Sequence, residues 1–120
     1  MTERYDLHIH SNISDGTQPL TELVPLIRDA GLAGFALTDH DTARGWPQAA
    51  ELAEEYGLDF LPGGEFSCRY SYQDEQGHER TKSVHLLGYG YNPDYPQLRD
   101  EMKRLLDDRL SRARRMADRL

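Results

Sequence analysis

The chain has 120 residues, a net charge of −7 and 38% hydrophobic content, enough for one small domain with its own core. No apolar run approaches the roughly 20 residues of a membrane span, the N-terminus lacks the apolar stretch of a signal peptide, and a single cysteine, Cys68, excludes an internal disulfide. Together these point to a soluble protein of a reducing, cytoplasmic compartment.

Charge is unevenly spread. Residues 1–98 hold 6 Lys/Arg against 16 Asp/Glu, and residues 99–120 hold 8 against 5. The acidic part suits bound cations and argues against stable binding of duplex nucleic acid. The basic tail is either a solvated helix face or a surface that meets an anionic substrate.

In chain order, residues 5–10 read as a strand. Leu7 and Ile9 alternate with Asp6, His8 and His10, so the two imidazoles project from one face. Two such imidazoles at a strand end can share a divalent ion; alternatively one packs in the core and the other faces solvent. Residues 12–16 are turn-like. Residues 19–30 read as a helix with Thr17 as N-cap, Pro25 inside it and Gly31 after it. Residues 32–38 form a short apolar strand that ends in Asp39-His40-Asp41-Thr42. A second helix covers 45–56, and a third strand, 58–62, ends in Gly63-Gly64-Glu65.

Strand–helix–strand–helix–strand order predicts parallel strands with helical crossovers. His8 and His10, His40 and Glu65 then fall at strand C-terminal ends, where such folds place their chemistry. The second half differs. Residues 66–72 and 82–91 read as a β-hairpin around a polar loop, 73–79. His85 sits in an apolar strand, either as a ligand or as a buried core histidine. His78 reads as solvated. From Pro96 a long helix is expected, its spacing carried by Leu98, Met102, Leu105, Arg109, Ala113, Met116 and Leu120. The pattern reaches Leu120 with no stop signal, which predicts a longer parent chain.

Four motifs carry a resemblance. Asp6-Leu7-His8-Ile9-His10-Ser11 with Ser14-Asp15-Gly16, then Leu37-Thr38-Asp39-His40-Asp41-Thr42, then Pro62-Gly63-Gly64-Glu65-Phe66-Ser67, then His85-Leu86-Leu87-Gly88 stand in the order found in the PHP (polymerase and histidinol phosphatase) family. The chain resembles most the small stand-alone PHP phosphoesterases that act on nucleoside 3′,5′-bisphosphates and RNA 5′ ends. The resemblance implies an α/β fold, the N-terminal portion of a distorted (β/α)7 barrel, with residues 1–120 a partial PHP domain. It implies two to three divalent ions among Mn, Fe, Zn and Mg. His8 and His10 would hold the first, Glu65 would bridge the first and second, His85 would hold the second, and Asp15 and His40 the third. Asp15 stands where some relatives carry histidine.

Asp6, Asp39 and Asp41 could orient ligand imidazoles or simply cap turns. Arg109 and Arg112, three apart on one helix face, either grip a substrate phosphate or are solvated. The remaining ligands of the family site, including a Gly-Ser-Asp-x-His type segment, are absent from these residues.

The expected activity is hydrolysis of phosphate esters by metal-activated water, on a small phosphorylated substrate such as a nucleotide or short RNA. Two alternatives stand beside it. One is a non-catalytic metal-binding fragment. The other is a PHP phosphatase of another substrate, such as histidinol phosphate, or a domain attached to a polymerase.

Overall fold

Leu20, Val24 and Ile27 recur at helical spacing and are buried, which makes α1 (Leu20–Asp29) an amphipathic crossover. It follows β1 (Tyr5–Ile9) and precedes β2 (Gly34–Leu37). Then come α2 (Trp46–Tyr56), β3 (Asp59–Gln73), β4 (Glu79–Tyr89) and α3 (Pro96–Asp118). The computed structural model describes residues 3–119; Leu120, which the helical periodicity includes, lies outside them.

The four strands form one mixed sheet in the order β1-β2-β3-β4. The β1–β2 and β2–β3 pairings are parallel, and β3–β4 is antiparallel. All four residues of β2 are buried, as expected for the central strand of a parallel α/β unit. Phe35 and Leu37 meet Leu20, Val24 and Ile27 of α1 and Ala49 and Ala53 of α2 in one core. The sheet curls enough for the Tyr89 hydroxyl of β4 to donate to the Leu7 carbonyl of β1 at 2.6 Å, although the two strands are not neighbours.

Several local expectations change. Thr17 does not cap α1: Pro19, in an extended conformation, takes the N-cap position with no side-chain cap bond. Helix α1 continues through Pro25, at the cost of the one interior bond to the carbonyl of Thr21, an exposed residue where water can meet it. Strand β2 is shorter than residues 32–38. The separate strands expected at 58–62 and 66–72 are one 15-residue strand, β3. Its first part pairs with β2, and from Gly63 onward it pairs with β4.

The hairpin is longer than its polar sequence suggests, with pairing up to Gln73↔Glu79. Asp74 explains this, since its Oδ1 accepts the backbone N–H groups of Gln76 and His78 and its Oδ2 accepts Arg80 Nε. The Arg80 bond, then that from the His78 backbone, holds the Asp74 carboxyl below its ordinary range.

The second half is thinly packed. Met102 is the only buried residue of α3 among those described. The radius of gyration is 17.2 Å, against about 14 Å for a compact domain of this length.

Candidate metal centre

The rim of the parallel sheet is built by backbone before side chains. The Thr38 N–H donates to the Ile9 carbonyl at 2.8 Å, locking the end of β2 to the end of β1. Beyond β2 the chain runs alongside β3: Glu65 N–H donates to the Asp39 carbonyl at 3.2 Å, and Asp41 N–H to the Glu65 carbonyl at 3.1 Å. His40 and Glu65 are therefore neighbours in a parallel bridge. The loop after His10 turns back on itself, with Gly16 N–H on the Ser11 carbonyl at 2.9 Å. A Cβ on Gly16 would stand 2.5 Å from the His10 carbonyl oxygen, so only glycine permits the turn that returns Asp15 over His10 and His40.

Six sequence-predicted residues converge here. Glu65 is at the centre and is 5% exposed. Its Oε1 lies 2.5 Å from His8 Nε2 and 3.0 Å from His10 Nε2. Its Oε2 lies 2.6 Å from His85 Nδ1 and 3.9 Å from His40 Nδ1. The two carboxylate oxygens thus face two different sets of imidazoles. Asp15 spans a third set, with Oδ1 3.0 Å from His10 Nδ1 and Oδ2 3.0 Å from His40 Nε2. The donor atoms of His8/His10/Glu65, of His10/Asp15/His40 and of His40/Glu65/His85 each fall within 4.8 Å of one another.

Burial alone pushes the Glu65 carboxyl up. The hydrogen bond with His8, the charge of His40 and both the bond and charge of His10 overcome this and hold it below its ordinary value. His10 Nδ1 and His40 Nδ1 are buried without an aligned hydrogen-bond partner, although Asp15 Oδ1 is at contact distance from the former. Buried nitrogens of this kind are costly unless paired. An ion bound through Nε2 leaves Nδ1 as the protonated nitrogen, which in His10 points to the Asp15 carboxylate and in His40 towards Glu65, and an imidazole–carboxylate donor set suits Zn, Mn or Fe. The residues present therefore fit the group.

The aspartates expected to orient imidazoles have other partners. Asp6 Oδ1 accepts the His8 backbone N–H at 3.1 Å, a local turn contact. Asp39 is 2% exposed and holds the first loop: its carboxylate accepts Ser11 N–H and Oγ–H and Ser14 Oγ–H, each at 2.7 Å. Asp41 accepts Ser67 N–H at 2.9 Å and Oγ–H at 3.0 Å, and Arg109 Nε at 3.1 Å. His85 is not a core histidine; its side chain is 53% exposed.

Arg109 sits at the rim with Nε on Asp41 and Nη2 on Ser67, so much of its fork is engaged. Arg112 lines a cleft of about 1170 Å³ between the β3–β4 hairpin and α3, a cleft that also borders His85. Ser11, Ser67 and Tyr91 are rim residues that sequence reasoning missed as structural parts. The Tyr91 hydroxyl is buried with no partner, and burial, then the charge of Asp41, pushes it up to about 12. Ser11, next to His10, and Ser67, two residues after Glu65, carry no periodic signal, and a tyrosine beyond the hairpin carries none either.

The architecture has known counterparts. Residues 6–112 match the family model described as the PHP domain. The chain is similar to the 3′,5′-nucleoside bisphosphate phosphatase of Chromobacterium violaceum, 37% identical over 111 residues that cover 92% of this chain and 36% of the relative. It is also similar to a 5′-3′ exoribonuclease of Haemophilus influenzae, 34% identical over 98 residues, 82% of this chain and 32% of the relative. Among solved structures, a Bifidobacterium adolescentis protein assigned as a metal-dependent phosphoesterase superposes with a TM-score of 0.82 at 34% identity, over 99% of this chain and 38% of that one. The chain thus spans about a third of the length of these relatives, and it belongs to the PHP family.

Proposed function

We propose that this chain supplies the N-terminal part of a PHP barrel and most of the ligands of a multi-ion centre that hydrolyses phosphate monoesters or diesters. The observation that carries the reading is the division of Glu65, one oxygen facing His8 and His10 and the other facing His85 and His40. A carboxylate placed so is suited to bridge two ions.

Lone-pair arithmetic limits what these residues hold. A neutral imidazole has one lone pair, so His10 and His40 can each serve one ion although each stands in two of the three donor sets. Counting each once gives the first ion His8, His10 and Glu65, the second Glu65 and His85, and the third Asp15 and His40. The last two have two protein donors apiece, fewer than a closed site uses. The remainder of a longer chain is the natural source of the others, in keeping with relatives about three times as long.

When bound, divalent ions lower the pKa of water and neutralise phosphoryl oxygens. The protein's own part is to hold donors and shape access. Glu65, kept ionised by its imidazole neighbours, presents both oxygens at near-neutral pH. Half-exposed His8 and His85 form the open side from which a phosphate would enter. Arg112, on the cleft bordering His85, would meet a further phosphate of the substrate. The names of the similar proteins favour a nucleotide or an RNA 5′ end as substrate.

The test is phosphate release from a nucleoside 3′,5′-bisphosphate by the complete protein, with metal content measured by elemental mass spectrometry. Glu65→Gln is expected to lose bound metal and to lower turnover by at least about a hundredfold. A Glu65→Gln protein with wild-type metal content and turnover would sink the proposal.

A further inference from the structure

Arg109 and Asp41 are 68 residues apart in sequence and meet at the rim. The Asp41 side chain is fully buried, while Arg109 is about one-third exposed. Among the described residues Arg109 is the only cation that ion-pairs with Asp41. Asp41 directly follows His40, and its backbone is left-handed, with φ +55°, the only non-glycine residue so placed among those described. Such a conformation persists where the surroundings over-determine it. The surroundings here are two bonds from Ser67 and one from Arg109, which itself donates to Ser67 Oγ at 2.9 Å. Ser67 is two residues beyond Glu65, so it lies on the same face of β3.

We infer that the Arg109–Asp41–Ser67 triangle is a latch through which helix α3 fixes the spacing between His40 and Glu65. The inference rests on the metal-centre reading above, and it makes Arg109 a positioning residue. Removing the guanidinium leaves the buried Asp41 carboxylate without a cation, held only by Ser67. A buried charge that loses its partner costs several kcal/mol, and the left-handed Asp41 is the nearest part able to relax. His40 moves with it. Helix α3 is well placed to act as a lever because so little else holds it: Met102 is its only buried residue among those described.

The test is Zn²⁺ titration by calorimetry on the chain and its variants, with amide hydrogen exchange read at Ser67. Arg109→Gln is expected to weaken Zn²⁺ binding about tenfold. Arg104→Gln removes the same charge from the same helix, but among the described residues Arg104 pairs only with Glu101 and Asp108, so binding is expected to stay as in wild type. The double variant Asp41→Asn/Arg109→Gln has no unpaired buried charge and is expected to recover to within about threefold of wild type, a non-additivity that general destabilisation does not produce.

Wild-type binding by Arg109→Gln, or a double variant no better than Arg109→Gln alone, overturns the latch. If the wild-type chain takes up no Zn²⁺, that result bears on metal retention by these residues alone, and the Ser67 amide decides the latch. Exchange at least about tenfold faster in Arg109→Gln, with Phe35 unchanged, supports the latch, and equal protection refutes it.

Discussion

The two halves of this molecule stabilise themselves in different ways. Through Pro62, helices α1 and α2 cover β2 and the strands carry an apolar core in which Phe35, Leu37, Val24 and Leu20 are almost fully buried. Beyond Gly64 the hairpin and α3 leave Leu86 at 60% and Tyr70 at 60% exposed, and their order comes from ladder hydrogen bonds, turn contacts and a few ion pairs. The candidate centre straddles the divide. His40 and Glu65 are buried with the first half, whereas His85 stands on the exposed second half. A well-packed half and a thinly packed one thus each contribute donor side chains to the same rim.

Stability measurements sharpen this contrast. Phe35→Ala in the first half is expected to cost about 3–5 kcal/mol in urea unfolding, while Leu86→Ala in the second should stay within about 0.5 kcal/mol. Equal losses would erase the distinction. Next in size is Asp39→Ala, which strips three hydrogen bonds from Ser11 and Ser14. With Ser11 N–H left buried, the expected loss is about 3 kcal/mol. A change below ~0.5 kcal/mol would mean that the loop is held some other way.

Gly64→Ala tests the seam between the halves. Its Cβ would stand 2.5 Å from the Tyr91 hydroxyl, and the Tyr91 ring packs against Trp46 at a tilt, with centroids 4.8 Å apart. Overpacking of this kind costs about 1–3 kcal/mol, and Trp46 fluorescence should shift as Tyr91 is displaced. An unchanged emission spectrum would show that the seam yields elsewhere.

The smallest effect belongs to Tyr5. Hydrogen bonds to Glu3, then to Asp59, raise its phenol from 10.0 to about 12. A raised folded value gives stability that is complete below the unfolded pKa and is lost as pH climbs from 10 towards 12. Tyr5→Phe should remove part of the phenolate absorbance that appears last in an alkaline titration, the remainder belonging to Tyr91, and identical titration curves would refute the assignment.

Much of the first half was legible because its periods are clean. Leu20, Val24 and Ile27 announce α1, and an unbroken apolar run announces β2. The continuity of β3 was hidden. Pro62-Gly63-Gly64 reads as a break, yet Pro62 pairs with Leu37 at the end of the parallel ladder, and Gly64 serves packing: it is small because Tyr91 lies over it. Four of the expected ligands, His8, His10, His40 and Glu65, could be placed on strand ends from the order of elements alone, whereas Asp15 and His85 joined them only through the family resemblance. The partners of Asp39, Asp41 and Arg109 could not, since the choice between a histidine, a serine and a distant arginine depends on how loops fold back, and no local pattern encodes that.

The pairing of β3 with β4 has a consequence for how the chain can vary. Ser67 stands opposite His85, and Glu65 opposite Leu87, so His85 reaches Glu65 diagonally across the ladder. The hairpin is in effect a length standard with a two-residue graduation. A slip of one residue would turn the His85 ring to the opposite face, and a slip of two would keep the face but displace the ring by about 7 Å. The tip that sets this register lies about 30 Å along the strand from Glu65. Insertions at the Asp74–His78 turn are therefore neutral only while the bonds of Asp74 preserve the count, and a remote, solvent-washed loop calibrates the reach of a side chain it never touches.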